Sequence, residues 1–361
     1  MRILITSDNH LGYKETDPLL SLDSFRAFEE ILQNSNDCDF MINAGDLFHS
    51  NKPSRFTMYK TIRLLRENII SNEKNSRCMI DGIPLDKYDF EDCRYNKSQA
   101  VDKNSQTDDK NPKTGDKNSK TGDKNSETGD KNSETGDKNS KTGGKNPKTG
   151  DKNPQVNMKK STGQNQLKNL KLPILVINGN HDDPCGFGSL SALDVLHETR
   201  LVNYVGRNEN IDNIVIKPII ITEECGNNRL NVAIYFLSHV RDTRLFRLFA
   251  QNRVYFEESD CDISILVVHQ NRIERTGNDN LSMDLIPEFF NLIIFGHEHD
   301  PLIMERRYQT ILQCGSTVRT SCCDGEVGNK YYYKLDITLK DDLRKSKFSG
   351  NFNEKLRKGQ N

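Results

Sequence analysis

The sequence predicts an α/β fold in which mixed β-sheets are flanked by helices. Short apolar, β-branched runs alternate with segments whose apolar residues recur at helical spacing, as in layered α/β proteins. Late in the chain the strand-like runs crowd together, which favours a mixed sheet over a purely parallel one. Several runs also end in acids, amides or histidines, and open α/β sheets usually carry their sites at the carboxyl ends of strands.

Composition narrows the class of protein. The 361 residues carry a formal charge of −1, which argues against a generally basic nucleic-acid binder but not against a local basic patch. The nine cysteines include no Cys-x-x-Cys pair, which favours free thiols in a reducing compartment. The opening residues are too short for a signal peptide, and no run approaches about twenty apolar residues. We therefore expect a soluble intracellular protein without a membrane segment.

The first part of the chain predicts two strand–helix units. Residues 2–6 predict a buried strand, and Asp8 and His10, which follow it, alternate so that both can point to one side. Ser24 is suited to cap the helix after it. Residues 39–44 predict a second strand, which ends in Gly45-Asp46. The helix predicted after Pro53 carries an apolar stripe, suited to the core or, where exposed, to a dimer surface: Phe56, Tyr59, Ile62, Leu65 and Ile69.

A low-complexity stretch interrupts the pattern. Residues 102–157 consist of eight seven-residue units of the type DKNSETG, and no unit carries an apolar residue at a repeated position. Such a sequence has no coiled-coil seam and too little apolar surface to offset chain entropy. We predict a disordered insertion at 98–157 inside one domain, formed by residues 1–97 and 158–337. Residues 338–361 predict a basic, flexible tail.

The later strand-like runs also end in polar groups. Residues 174–177 lead into Gly179-Asn180-His181-Asp182-Asp183, a string that alone is equally compatible with a plain turn. The run at 231–237 ends in Ser238-His239. The run at 263–268 ends in His269, the run at 291–295 ends in Gly296-His297-Glu298-His299, and residues 330–337 predict a closing strand.

Together these strand ends predict a metal site. The candidate residues are Asp8, His10, Asp46, Asn180, His181, His269, His297 and His299. Carboxylate, imidazole and amide groups suit divalent ions such as Mn²⁺, Fe²⁺ or Zn²⁺, and the absence of cysteine argues against a structural zinc site. The set exceeds the needs of one ion. Two ions that share a carboxylate suit an in-line phosphoryl displacement.

The order and flanks of these strings are similar to those of calcineurin-like metallophosphoesterases. The strings DNHLGY, GDLFHSNKPS, GNHDDP, LVVHQNR and FGHEHDP resemble, more narrowly, the double-strand-break-repair nucleases of the MRE-eleven and SbcD type. The resemblance runs from residue 1 to about 337, interrupted by the repeat. It implies the layered metallophosphoesterase fold. Because little sequence follows residue 337, we expect the family's cap domain to be missing or vestigial.

The resemblance also implies roles for the site residues. One metal would be held by Asp8, His10, Asp46 and His299, and the other by Asp46, Asn180, His269 and His297, giving two Mn²⁺ per subunit. His181 would stabilise or protonate the leaving oxygen, and His49 would help to position DNA. His239 would be a bystander. Apart from the resemblance, we expect Asp183 to organise its loop or the helix that follows rather than to bind metal.

The implied activity is that of a manganese-dependent DNA endonuclease and exonuclease that processes double-strand breaks, in repair and in meiosis. The resemblance implies a nuclear homodimer that acts with an SMC-like coiled-coil ATPase and a nibrin-type adaptor. The short sequence after residue 337 argues against the ATPase partner. The repeat, which lies in the loop that would contact the adaptor, argues against the adaptor. Two alternatives stay open. One is another calcineurin-like enzyme, either a phosphomonoesterase or a protein phosphatase; the other is an inactive scaffold subunit of a repair complex.

Overall fold

Two mixed β-sheets pack face to face, and helices cover the outer face of each. The computed structural model describes residues 1–70, 76–96, 170–273, 280–338 and 354–355. The predicted repeat insertion at 98–157 lies outside these residues, as does nearly all of the predicted basic tail. Within the described residues no helix is both long and apolar enough to cross a membrane.

The described residues contain eighteen strands and five α-helices. In chain order the strands are β1 (Arg2–Thr6), β2 (Phe40–Asn43), β3 (Cys78–Ile80), β4 (Ile83–Pro84), β5 (Tyr95–Asn96), β6 (Ile174–Val176), β7 (Asn203–Tyr204), β8 (Arg207–Asn208), β9 (Ile214–Ile216), β10 (Ile219–Cys225), β11 (Asn228–Leu237), β12 (Val254–Phe256), β13 (Ile263–His269), β14 (Leu292–Gly296), β15 (Leu302–Arg306), β16 (Gln309–Gln313), β17 (Tyr331–Asp336) and β18 (Glu354–Lys355). The helices are α1 (Asp23–Gln33), α2 (Arg55–Ile69), α3 (Ala192–Glu198), α4 (Asp242–Ala250) and α5 (Asp324–Val327).

The first sheet has the strand order β18-β17-β1-β2-β6-β7. Strands β1, β2, β6 and β7 run parallel, and β17 joins β1 antiparallel. The second sheet has the order β15-β16-β14-β13-β11-β10-β3-β4. Its centre, β11-β13-β14-β16, is parallel and its two ends are antiparallel. Both sheets are therefore mixed, which confirms the predicted fold class.

Alternate residues of the inner strands fill the space between the sheets. Ile3 and Ile5 of the first sheet belong to the same buried cluster as Ile265, Val267 and Ile294 of the second. All residues of β13 are buried, as expected for a parallel strand covered on both faces.

The helices bury the apolar faces that their spacing predicts. Helices α1, α2 and α3 cover the first sheet, and α4 covers the second. Only part of the apolar stripe of α2 is buried. Leu65 and Ile69 are buried, whereas Phe56 and Tyr59 are 47% and 59% exposed. The prediction that Ser24 caps α1 is wrong. The helix begins at Asp23, so Ser24 lies inside its first turn, and the Ser24 hydroxyl accepts a hydrogen bond from the Gly12 amide, 3.2 Å away.

Candidate metal centre

The candidate site lies where parallel strands of both sheets end. The loops after β1 and β2 are joined by hydrogen bonds from the Asp8 amide to the Gly45 carbonyl and from the His10 amide to the Asp46 carbonyl. The second sheet reaches the same place, because the imidazole Nδ1–H of His269 donates to the Ala44 carbonyl over 2.8 Å. The strand ends that sequence analysis singled out therefore converge.

A first cluster joins Asp8, His10 and His299. The Nε2 atoms of His10 and His299 are 3.0 Å apart, and Asp8 Oδ1 lies 3.9 Å and 3.6 Å from them. Asp8 Oδ2 accepts hydrogen bonds from the Ser7 hydroxyl and the His297 amide, whereas the buried Oδ1 has no hydrogen-bond partner among the described residues. A buried carboxylate oxygen without a donor, facing two imidazole nitrogens, fits a cation.

A second cluster joins Asp46, Asn180, His269 and His297. Asp46 Oδ2 lies 3.5 Å from His269 Nε2, which lies 3.3 Å from Asn180 Oδ1. The same amide oxygen is 2.8 Å from His297 Nδ1. Adjacent ligands in octahedral geometry at about 2.1 Å from one ion lie about 3 Å apart, so these spacings also fit a metal ion.

Asp46 lies between the two clusters. Its Oδ2 atom is 3.5 Å from His269 Nε2 and 4.0 Å from His10 Nε2, so one oxygen faces both. Its Oδ1 atom accepts a hydrogen bond of 2.8 Å from the His181 amide, which fixes the orientation of the carboxylate. This is the placement that a bridging ligand requires.

The electrostatics of the site favour positive charge at its centre. Burial lowers the pKa of His10 well below its usual value and that of His297 to about 3, so both imidazoles are neutral at pH 7 with a lone pair available. Burial also opposes charge on His269, but the adjacent Asp46 outweighs it and raises the pKa of His269 to about 10. Burial likewise opposes ionisation of Asp46, yet His269 holds the pKa of that carboxyl well below its usual range.

His181 and His49 lie beside the first cluster. Their rings stack with centroids 5.0 Å apart, and the His181 Nδ1–H donates to the His49 carbonyl over 2.7 Å. Both rings also contact the His10 ring edge to face, with a centroid distance of 5.3 Å for His49 and 5.0 Å for His181. The hydrogen bond occupies Nδ1 of His181, so Nε2 is the nitrogen left for proton transfer.

His239 and Asp183 lie outside the two clusters. The ring of His239 is 6.3 Å from that of His297, and its Nδ1–H donates to the His269 carbonyl over 3.3 Å. The carboxylate of Asp183 accepts from the Asn178 side chain within its own loop, over 2.9 Å. Neither residue belongs to a group of potential metal ligands in the described part of the chain.

Two carboxylates were missed by sequence analysis. Asp182 is fully buried; its Oδ1 atom accepts from the Gly179 amide over 2.6 Å and its Oδ2 atom from the Leu47 amide over 2.8 Å. Asp182 thereby connects the loop that contains GNHDDP to the loop that contains GDLFHSNKPS. Its position directly after a candidate ligand could have indicated this role. Glu326 contacts His299 from α5, and nothing in the local sequence marks it.

The backbone at the strand ends is strained. Asp8, His10, Asp46 and His297 have φ angles of 50°, 46°, 51° and 84°. Residues other than glycine adopt this left-handed region rarely, at a cost on the order of 1–3 kcal/mol, and they concentrate at functional sites. Four candidate ligands therefore share a conformation that their surroundings must enforce.

Comparison with known proteins shows the family to which the chain belongs. The model of the calcineurin-like phosphoesterase family matches residues 1–75 and 136–301. The chain is 34% identical over 342 residues to the double-strand break repair protein MRE11 of Encephalitozoon cuniculi, which covers 93% of this chain and 45% of that protein. It is 31% identical to the MRE11 protein of Arabidopsis thaliana and to the double-strand break repair protein mus-23 of Neurospora crassa.

These alignments cover 93% and 94% of this chain but only 40% and 38% of the Arabidopsis and Neurospora proteins. The chain thus spans less than half the length of these curated relatives. The resemblance predicted from the five motifs is confirmed. Because the family model matches more than half of the sequence, the chain belongs to the calcineurin-like phosphoesterase family, within which it resembles the MRE11-type proteins.

Proposed function

We propose that this chain is a metal-dependent phosphodiesterase that cleaves DNA as an endonuclease and exonuclease at double-strand breaks. The observation that carries the proposal is the placement of Asp46, one oxygen of which faces both ligand clusters. That arrangement suits two ions. A single structural ion would need only about four ligands, and structural zinc sites usually include cysteine.

The proposed ligands divide as the two clusters do. Asp8, His10, Asp46 and His299 would hold one Mn²⁺, and Asp46, Asn180, His269 and His297 would hold the other. When bound, the ions would supply Lewis-acid stabilisation of the charge that develops on the phosphodiester oxygens, and would lower the pKa of the attacking water.

The proposed catalytic acid is His181. Because its Nδ1–H donates to the His49 carbonyl, the ring orientation is fixed and Nε2 can carry the proton that the leaving oxygen needs. His49 stacks on that ring and contacts His10, so we assign it to positioning the scissile phosphate.

The substrate and the setting are inferred from the relatives, whose names describe double-strand break repair. We propose a nuclear location and a homodimer; the exposed apolar side chains of Phe56, Tyr59, Leu190 and Val195 on and near α2 and α3 support the dimer. An SMC-like coiled-coil ATPase and a nibrin-type adaptor are the partners that this setting would require.

The test is cleavage of linear duplex DNA and of single-stranded DNA with Mn²⁺ and with Mg²⁺. We expect Mn²⁺-dependent cleavage that falls by about 10²- to 10⁴-fold in His181→Asn, because a positioned acid typically contributes that much. The variant should still bind metal, since His181 is not among the proposed ligands. Loss of metal from the variant would contradict the assigned role.

A phosphomonoester substrate distinguishes the alternatives. Turnover of p-nitrophenyl phosphate without DNA cleavage would identify a phosphomonoesterase or protein phosphatase of the same family. Folded protein that binds DNA or repair proteins but hydrolyses neither substrate with metal bound would identify a scaffold.

A further inference from the structure

One candidate ligand, His299, contacts a buried carboxylate through its second ring nitrogen. Its Nε2 atom belongs to the first cluster, 3.6 Å from Asp8 Oδ1. On the other side of the ring, Nδ1 lies 3.1 Å from Glu326 Oε1 and 2.7 Å from the Thr320 hydroxyl. The Glu326 side chain is 2% exposed.

The contacts around Nδ1 determine which nitrogen carries the proton. The Thr320 hydroxyl donates to Glu326 Oε1 over 3.0 Å, so its oxygen is left to accept from His299. If Nδ1 were unprotonated, its lone pair would face the carboxylate at 3.1 Å. The favourable form of His299 therefore carries the proton on Nδ1 and the lone pair on Nε2.

Glu326 is itself held rigidly in its charged form. Its Oε1 atom accepts from the Ser321 hydroxyl over 2.9 Å, and its Oε2 atom accepts from the Thr320 amide over 2.7 Å and from Lys330 over 3.3 Å. A carboxylate with this many donors keeps both its charge and its position.

The same segment also holds the backbone of His299. The Lys330 ammonium donates to the His299 carbonyl over 3.1 Å and to the Ser316 hydroxyl over 2.7 Å, and the Ser316 amide donates to the same carbonyl. The Thr317 amide donates to the Asp8 carbonyl over 3.2 Å. The chain from Ser316 to Lys330 thus fixes His299 at both its ring and its main chain.

We propose that Glu326 is a positioning residue for this site, which keeps His299 in the Nδ1–H form and directs its Nε2 atom toward Asp8 and His10. A carboxylate that accepts from a ligand histidine fixes the ring and raises the basicity of the coordinating nitrogen. This inference rests on the metal binding proposed above, but not on DNA being the substrate.

The effect is specific to one cluster. In the second cluster the Nδ1–H of His269 donates to the Ala44 carbonyl, so a backbone atom performs there the role that Glu326 performs for His299. Replacement of Glu326 should therefore weaken one ion and leave the other unchanged.

The experiment is titration of the full chain with Mn²⁺, followed by the loss of the free-ion signal in electron paramagnetic resonance. We expect two ions on the wild-type chain, and in Glu326→Gln one of them bound about 10- to 100-fold more weakly. The matched control is Glu223→Gln, another buried glutamate in an ion pair, which contacts the amino terminus at the opposite end of β1. It should bind both ions as the wild type does.

A second readout reports the proton directly. The ¹⁵N chemical shifts of metal-free wild-type protein should show His299 protonated at Nδ1, and Glu326→Gln should shift the tautomer ratio. If that variant does not fold, Thr320→Val keeps the side-chain shape, removes the hydroxyl between His299 and Glu326, and should weaken the same ion by a smaller factor.

Unchanged binding of both ions in folded Glu326→Gln, or in folded Thr320→Val, would overturn the inference. Equal weakening of both ions would overturn it too, because the role would then be general rather than specific to His299. A wild-type chain that binds no Mn²⁺ would instead overturn the proposed function, and this inference with it.

Discussion

Asp46 and His269 show how single residues determine the character of the site. Their facing atoms are 3.5 Å apart in a region that excludes solvent, and each holds the other in its charged form. His10 and His297, in contrast, are kept neutral mainly by burial. Anionic oxygens and imidazole lone pairs therefore occupy one small volume, where a divalent cation satisfies both.

The half-buried ring of His239 gives a prediction at this scale. Burial, with the charge of His269 next, lowers its pKa to about 4, whereas an unfolded histidine titrates near 6.5. Between these values the unfolded state binds more protons, so stability is lost as the pH falls from about 6.5 toward 4.

His239→Asn should remove this acid sensitivity. Between pH 8 and pH 5, the free energy of unfolding of the metal-free wild type should fall by about 2 kcal/mol more than that of the variant. Urea unfolding in the presence of a chelator at both pH values measures the difference. Equal losses in the two proteins would show that His239 does not titrate as its burial requires.

At the scale of elements, the ends of the strands come together closely enough to exclude even a methyl group. A Cβ atom on Gly179 would lie 2.1 Å from Asp46 Oδ1 and 2.6 Å from His269 Nε2. Because Gly179 follows β6 while those side chains follow β2 and end β13, this one contact connects three strands of two sheets. The absence of a side chain is what permits the approach.

Gly179→Ala should therefore displace two proposed ligands. We expect at least about a 100-fold loss of DNA cleavage, since a shift of about 1 Å in a site can cost that much, together with weaker Mn²⁺ binding. Gly328→Ala is the matched control: its Cβ would meet no atom of the described residues within 4 Å and its φ is −65°. Near-normal cleavage by Gly179→Ala would show that the site is looser than these distances indicate.

Much of the element pattern could be predicted from the sequence. Strands β1, β13 and β14 are mostly apolar, so their existence follows from burial on both faces. The convergence of their ends could not be derived in this way. It depends on the order β1-β2-β6 in one sheet and β11-β13-β14 in the other, and on the packing of the two sheets. The short strands β3, β4, β9 and β12 carry too few residues for a periodic signal.

The remaining gaps in the prediction are long-range contacts. Glu326 lies 27 residues from His299 in sequence, on a four-residue helix whose local pattern contains no sign of the contact. The left-handed φ angles of Asp8, His10, Asp46 and His297 are likewise not fixed by residue type, because Asp and His adopt this region more often than most residues other than glycine but still rarely. Residues of this kind are found only after the fold is known.

At the scale of the whole molecule, the first half of α2 carries two exposed aromatic side chains on its outer surface. Tyr59 and Phe56 are exposed on it, although Leu65 and Ile69 of the same helix are buried. In the proposed homodimer these aromatic side chains would lie in the interface, where tyrosine is enriched and an introduced charge is costly.

Tyr59→Glu should accordingly give a monomer. Light scattering coupled to size exclusion should show about twice the 41.3 kDa of one chain for the wild type and one chain mass for the variant. Tyr308→Glu, which alters a 90% exposed tyrosine between β15 and β16 of the other sheet, should stay dimeric. A monomeric wild type, or dissociation by both variants, would contradict the proposed surface.

The central claim is that the strand ends of both sheets form one site for two divalent ions. Anomalous diffraction at the manganese edge, from crystals grown with Mn²⁺, tests it most directly. We predict two peaks, one on each side of Asp46. One should be bounded by Asp8, His10 and His299, and the other by Asn180, His269 and His297. No peak in this region, or a single peak that leaves either group of ligands unbound, would contradict the account.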